Sequence, residues 1–376
     1  MLKIRNSGID EILAHSEKLI IYGASKNLGH LLMKFSYTDV ADRICFIVDR
    51  DESKNGKVFT VLDRSYPVVG LKKFAYEHDI EKKYQMIIVN VNYEETIRQL
   101  DDISELDGLI SYIWWMPYLS WHSGRYSKHV DSLPNPKKDC NIPKVINYCW
   151  FGGKQLPNDV RANIESWRKS NPKFEIREWN DSNYDVNVTK YTREAYAAKK
   201  YSFVADYARY DIVFKYGGFY FDTDVELIKG IEKFCNYRGF FSYEFFNLIN
   251  SGSGFAAEEG DPLIGKLRDR YKEREFFRED GSCNTKACSY YETEFFEEIG
   301  LKASDTLQLI DDFLILPYDF FSPLNQETAV LEMTRNTYGV HKFNCSWFSD
   351  DKQKAWIERK QGTEWINQRI IKGWMD

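Results

Sequence analysis

The sequence predicts an α/β protein in two parts, a smaller parallel, Rossmann-like part followed by a larger mixed one. Three observations predict this. Short apolar runs alternate with helical stretches between residues 18 and 100, the pattern of a parallel sheet whose strands are joined by crossover helices. A segment with two prolines and a lysine pair, SLPNPKKDCN at 132–141, then breaks the alternation as a linker would. Beyond it, residues 201–227 read as a helix, a double glycine and a short aromatic strand that runs into Asp222-Thr223-Asp224. The expected division is a first part at 1–133, a linker at 134–141 and a second part at 142–376.

Composition narrows the function classes. A chain of 376 residues, 43% of them hydrophobic, has enough apolar material for two sizeable cores. The net charge of −6 argues against a nucleic-acid binder, which carries a basic stripe. No apolar run approaches the ~20 residues that span a bilayer. Leu19-Ile20-Ile21 is too short for a signal peptide, so a cytoplasmic location is expected. The cysteines at 45, 140, 149, 235, 283, 288 and 345 form no CxxC pair and are odd in number, which fits reduced thiols. An aromatic content of 16% offers ring faces for sugars and bases as well as core filling.

In the first part, residues 9–18 read as a short amphipathic helix and Lys18–Tyr22 as a buried strand. The loop Gly23-Ala24-Ser25-Lys26-Asn27-Leu28-Gly29 follows, then a helix through Leu31, Leu32 and Phe35. Strands are expected at 44–48, ending at Asp49, and at 86–89, ending at Asn90, with a helix over 93–100. A glycine loop and a following acid invite a dinucleotide. The Gly-x-Gly-x-x-Gly fingerprint is broken, however, appearing as Gly23 with Ala24, Ser25 and Gly29, and no bound NAD is expected. Residues 112–121, YIWWMPYLSW, read as a buried domain-interface core, with a membrane-interface anchor as the alternative.

The second part opens with a strand at 145–148 that ends at Trp150 and the pair Gly152-Gly153. A helix with Ser166-Trp167, a turn at Asn171-Pro172 and a strand from Phe174 come next, Trp167 being structural. In the 201–216 helix, Phe203, Val204, Tyr207, Ala208 and Phe214 define one buried face, and Lys215 suits the last turn. Gly217 and Gly218 suit the left-handed conformation that ends a helix. Asp206 and Arg209, three apart, share a face of that helix, and a surface ion pair is the plain reading of them. Asp222 and Asp224, two apart, are expected on one face of a strand end. Two such carboxylates repel each other unless a cation intervenes, and hard oxygen ligands suit Mg²⁺ or Mn²⁺ held jointly with phosphates. A solvated acidic turn is the alternative. Later come a strand at 314–317, then Val340-His341, Ser346-Trp347 and a helical 351–376.

Asp206-x-x-Arg209 followed by Tyr216-Gly217-Gly218-Phe219-Tyr220-Phe221-Asp222-Thr223-Asp224 resembles the signature of DXD-motif glycosyltransferases of family 32 type. That group holds mannosyltransferases and bacterial capsular polysaccharide glycosyltransferases, and is related to the large clostridial glucosylating toxins. The opening Ile142-Pro143-Lys144 to Trp150, with Asn147 where His is usual, and the closing His341…Ser346-Trp347 extend the resemblance. It implies a GT-A fold for 142–376, a nucleotide-sugar donor, a UDP-sugar first among them, and a divalent cation, Mn²⁺ or Mg²⁺. By resemblance, Asp206, Arg209, Asp222 and Trp347 serve catalysis. Trp150 lies beside the base, and Asp206, Arg209, Asp222, Ser346 and Trp347 meet the donor. The metal falls to Asp222, Asp224 and His341.

The implied reaction retains anomeric configuration. The implied acceptor is a glycan or lipid-linked glycan in capsule or cell-surface polysaccharide synthesis, with peripheral association at the inner face of the membrane. The first part resembles the Rossmann-like domain of some polysaccharide-biosynthesis proteins. Two rival readings stand beside this one. Phe219 to Val225 also fits the strand-Asp-x-Asp-x-Val motif of haloacid-dehalogenase-like phosphatases, with Asp222 as nucleophile and Asp311-Asp312 as the acidic pair. The other is a non-catalytic carbohydrate-binding protein.

Overall fold

In the computed structural model the described residues are 1–5, 12, 14, 17–24, 28, 40–61, 64–77, 79–90, 92–114, 133–136, 141–244, 248–302, 306–326, 329–344, 354, 356–358, 361 and 365. The chain divides into two compact units. One comprises Met1–Arg125, Glu327–Val330 and Lys354–Asp376, and the other Tyr126–Gln326 and Leu331–Gln353.

The first unit holds strands β1 (Lys3–Ile4), β2 (Lys18–Tyr22), β3 (Ile44–Asp49), β4 (Val58–Val61), β5 (Arg64–Gly70), β6 (Tyr84–Ile88) and β7 (Ile110–Ile113). They form one sheet in the order β1-β7-β6-β2-β3-β5-β4, parallel except for β4 against β5. Its helices are α1 (Val40–Arg43), α2 (Leu71–Ala75), α3 (Ile80–Lys83) and α4 (Tyr93–Asp101). The apolar runs of β2 and β6 are buried on both faces, as parallel strands covered by helices require. From β2 the chain builds outward through β3 and β5 on one side and through β6 and β7 on the other, so the order reverses between β2 and β6. Asp49, at the end of β3, does not stand free there. Its carboxylate accepts from the Ala24 amide at 2.7 Å and the Asp51 amide at 2.8 Å, and pairs with Lys54 at 2.9 Å. The helix expected over 93–100 is α4. Most of the 9–18 helix, Ser25, Lys26, Asn27, Gly29, Leu31, Leu32, Phe35, and 115–121 of the aromatic run lie outside the described residues.

The second unit holds β8 (Val145–Cys149), β9 (Glu175–Trp179), β10 (Gly218–Tyr220), β12 (Gly239–Glu244), β13 (Leu248–Ile249), β14 (Phe255–Ala257), β15 (Gln308–Ile310) and β16 (Phe313–Leu316) in one sheet. The order is β15-β16-β12-β14-β10-β8-β9, with β13 paired to β12. β9, β8 and β10 are mutually parallel, and β14 runs antiparallel beside β10. A separate antiparallel pair joins β11 (Val225–Leu227) to β17 (Gly339–His341). The helices are α5 (Asn158–Ser170), α6 (Lys190–Ala197), α7 (Tyr201–Tyr216), α8 (Pro262–Asp269) and α9 (Cys288–Glu298).

α7 departs from its expected single buried face: every residue from Phe203 to Val213 is buried. It lies against α6, α8 and the sheet, so a helix that is apolar nearly all round finds cover on all sides. Gly217 ends it at φ +62°, and a Cβ there would come within 2.8 Å of the Glu259 amide nitrogen. A Cβ on Gly218 would sit 2.7 Å from the Val145 carbonyl oxygen. The double glycine therefore lets β10 enter beside β8, beyond merely closing the helix. Asn147 ties the same three strands: its Nδ2 donates to the Gly217 and Phe219 carbonyls, and its Oδ1 accepts from the Trp179 indole at 2.9 Å.

A candidate sugar-nucleotide site

Asp222 and Asp224 are not on a strand face. β10 stops at Tyr220 and β11 starts at Val225, so both acids lie in the turn that carries the chain from one sheet to the next. The turn itself makes them converge. The Val225 amide donates to the Asp222 carbonyl at 3.0 Å, and the Asp222 amide donates to the Gly252 carbonyl at 2.9 Å. β17 pairs with one edge of β11 and sets His341 opposite Val225. α5 serves the other edge. Asn163 Nδ2 donates to the Thr223 carbonyl at 2.9 Å, Trp167 Nε1 to Val225 at 2.8 Å, and Ser170 Oγ to Leu227 at 3.0 Å. Residues 163, 167 and 170 share a helix stripe, and the carbonyls of 223, 225 and 227, two apart, open to the same edge, so the helix periodicity meets the open backbone.

Asp206 and Arg209 are not a surface pair. Asp206 is 8% exposed and Arg209 2%. Arg209 Nη2 lies 3.0 Å from Asp206 Oδ1 and 3.2 Å from Asp222 Oδ1, and Nη1 donates to Ser251 Oγ at 2.9 Å. Tyr220 Oη also donates to Asp222 Oδ1, at 3.0 Å. Asp222 is thus compensated in part by Arg209 from α7, although no basic residue stands within three positions of it in sequence. Burial pushes the Asp206 carboxyl up to about 7, with Arg209 opposing the rise. Burial would lower Arg209, but Asp222 and Asp206 hold it well above its ordinary value.

Asp224 is neutralised from another side. His341 Nε2 lies 3.2 Å from Asp224 Oδ1, and the Asn344 amide donates to Oδ2 at 2.9 Å. Burial acts to raise the Asp224 carboxyl, and His341 outweighs it, leaving the group below its usual range. His341 is raised in turn: burial lowers it, and Asp224, then Asp222 and Glu244, overcome that. One ligand atom from each of Asp222, Asp224 and His341 falls within a 4.8 Å span. Asp206, Asp222, Asp224, Glu244 and Glu292 interact as one group of carboxyls, against Arg209 and His341 as cations. A divalent cation fits this excess of negative charge, and two carboxylates with one imidazole are donors that Mn²⁺ accepts. Among the described residues the buried His341 Nδ1 has no hydrogen-bond partner, nor has the Arg209 Nε, so both retain capacity for a ligand or its shell.

Trp150 stands apart from this cluster in its described contacts. Its indole donates to the Lys154 carbonyl at 2.6 Å and its ring, half-buried, packs on the core of the unit. The Gly152 and Gly153 amides are both taken by Asp181 Oδ2, at 2.9 and 3.2 Å, and a Cβ on Gly152 would strike the Tyr201 ring at 2.3 Å. Gly152 therefore serves an internal close approach. Ser346 and Trp347 lie outside the described residues. Ser251, Gly252 and Glu292 carry no motif of their own, yet all three join the cluster. A Cβ on Gly252 would be 2.3 Å from Asp222 Oδ2, which is a reason for glycine that sequence spacing does not reveal.

Residues 157–240 match the family model described as "Glycosyltransferase sugar-binding region containing DXD motif". The matched stretch holds Asp206, Arg209, Asp222 and Asp224, and leaves Ser251, Glu292 and His341 beyond its end. No curated protein matches the chain. Among solved structures, the PaToxG glycosyltransferase is similar at 18% identity over 40% of this chain and 66% of its own, with a TM-score of 0.29. The chain thus spans slightly less than two thirds of that protein. The galactosyltransferase LgtC, solved with donor and acceptor sugar analogues, is similar at 11% identity over 58% of this chain and 95% of its own, with a TM-score of 0.27. Aspartate semialdehyde dehydrogenase II from Vibrio cholerae is similar at 11% identity over 81% and 69%, with a TM-score of 0.20. Overlaps this slight carry nothing about activity.

Proposed function

We propose that the second unit is a metal-dependent glycosyltransferase of GT-A type that moves a sugar from a nucleotide sugar to a hydroxyl acceptor. The observation that carries this is the convergence of Asp222, Asp224 and His341 within 4.8 Å, beside a buried Asp206–Arg209 pair, with every member but His341 inside the stretch that matches a sugar-binding region. Asp222, Asp224 and His341 would hold Mn²⁺ or Mg²⁺ together with the donor diphosphate. When bound, the cation supplies charge compensation to the departing nucleoside diphosphate. Its binding requires a neutral His341 imidazole.

The chain's own residues do the positioning. Arg209 is enclosed, so its guanidinium aligns the Asp206 and Asp222 carboxylates before substrate arrives. Asp206 then offers its carboxylate to donor-sugar hydroxyls, and the unpartnered Arg209 Nε offers a donor. The half-buried Trp150 ring is the candidate stacking surface for the base, and Ser346 and Trp347 are candidate donor contacts from the sequence resemblance alone. The reaction breaks the bond from the anomeric carbon to the diphosphate oxygen and forms one to the acceptor oxygen, whose proton leaves. A UDP-sugar donor, retained configuration, and a glycan or lipid-linked acceptor in cell-surface polysaccharide synthesis at the cytoplasmic membrane face belong to this proposal. Among the described residues no helix is long and apolar enough to cross a membrane, so such an association would be peripheral.

The phosphatase alternative finds less support. Asp311 pairs with Arg238 at 3.0 Å, and no described contact brings it to Asp222. A panel of UDP-, GDP- and CDP-sugars and a phosphomonoester, assayed for hydrolysis with Mn²⁺, separates the readings. Release of sugar from one nucleotide sugar is expected. Turnover of the phosphomonoester alone would overturn the proposal.

A further inference from the structure

We propose that Glu292, on α9, is a positioning residue for the donor-sugar site and acts on Arg209 through Ser251. The inference rests on the glycosyltransferase reading and goes beyond it, because α9 lies outside the stretch that matches the sugar-binding family.

Glu292 is 1% exposed, and a carboxylate is rarely so buried without strong partners. Its described partners are three donors. Tyr210 Oη reaches Oε1 at 2.6 Å, Ser251 Oγ reaches Oε1 at 2.6 Å, and the Ser251 amide reaches Oε2 at 2.8 Å. Burial raises Tyr210 well above its ordinary value, so the phenol remains a donor.

Directionality follows from the hydroxyl. A serine hydroxyl has one proton and two lone pairs. Glu292 takes the proton of Ser251, which leaves lone pairs to face Arg209 Nη1 at 2.9 Å. Without the carboxylate the hydroxyl is free to rotate its proton toward the guanidinium, where it repels. Arg209 Nη2 in turn holds Asp206 at 3.0 Å and Asp222 at 3.2 Å. Glu292 thus sets the roll of the guanidinium that aligns both acids. A second route leads to the same place. The Ser251 amide bond to Glu292 anchors the turn that presents Gly252, against which Asp222 Oδ2 rests.

The test compares binding of UDP and of UDP-glucose, each with Mn²⁺, and hydrolysis of whichever nucleotide sugar the donor panel identifies. UDP reads the metal and diphosphate contacts, and the sugar nucleotide adds those of Asp206 and Arg209. In Glu292→Gln, UDP affinity should fall by less than kcat/KM for the sugar nucleotide, because the relay reaches the metal only through Asp222 and reaches the sugar through Asp206 and Arg209 as well. kcat/KM for the sugar nucleotide should fall at least about tenfold, the worth of a hydrogen bond that serves a charged group. Ser251→Ala should do the same, and the double variant should be no worse than either alone, because the two residues form one relay. Additive losses, or equal losses for UDP and the sugar nucleotide, would overturn the proposal. If Glu292→Gln does not fold, Ser251→Ala alone decides by the same UDP-to-sugar-nucleotide ratio. A wild type without affinity for any nucleotide sinks the glycosyltransferase reading and this role with it. A kcat/KM for the sugar nucleotide that Glu292→Gln leaves unmoved sinks the relay alone.

Discussion

Asp206 is the residue whose environment departs furthest from what its local sequence announces. A carboxyl three positions from an arginine on a helix reads as a surface pair, yet burial lifts it to about 7 from an ordinary 3.8. The sign of the consequence is fixed. The folded protein holds a proton that the unfolded chain has already released, so this group's contribution to stability is full below about pH 4. It is lost as the pH rises toward 7, to an extent of roughly 4 kcal/mol at most. In Asp206→Asn that loss is absent. Measured in EDTA, the melting temperature of the variant relative to wild type should therefore rise between pH 4 and pH 7. A flat difference would show that Asp206 titrates as an exposed acid, and a falling one that pairing with Arg209 outweighs burial.

At the scale of elements, the α5 stripe and the 222–225 turn form one device. Trp167 is fully buried and its indole donates to the Val225 carbonyl at 2.8 Å. Trp167→Phe keeps most of the ring volume and removes that bond, leaving a buried carbonyl short of a donor. Denaturant unfolding should show a loss of about 1–3 kcal/mol with an unchanged slope. An unchanged midpoint would mean that β11 does not depend on α5. Much of this was legible beforehand. The apolar runs announced the strands, the glycine pair announced the end of α7, and Trp167 read as structural. The turn was not legible, because Phe219-Tyr220-Phe221 looks like strand for one residue more than it forms, and which sheet a strand joins depends on partners far along the chain. Ser251 and Glu292 were hidden for the same reason: their roles come from contacts 42 and 41 positions apart, which no local periodicity encodes.

At the scale of the whole molecule, the two units pose separate questions. The first carries a strand order with a reversal point, where open α/β sheets bind ligands. Its Asp49, which a dinucleotide's ribose would need, is already engaged with Ala24, Asp51 and Lys54. Added NAD at 1 mM should leave the melting temperature unchanged, and purified protein should carry no nicotinamide. A rise of several degrees, as ligand linkage gives for a tight binder, would show that the loop rearranges to accept it.

In the second unit, the proposed function has Asp222, Asp224 and His341 hold a cation that would support departure of the diphosphate. The most direct measurement is turnover of the preferred nucleotide sugar in Mn²⁺, in EDTA, and by Asp224→Asn, a nearly isosteric change that spares the fold. Loss of such electrostatic support costs about 10²–10³ in kcat. The predicted result is wild-type activity that collapses by that factor in EDTA and returns with added Mn²⁺, and an Asp224→Asn protein that stays low in Mn²⁺. Full turnover in EDTA, or by Asp224→Asn, would contradict it and leave the acidic turn without a metal.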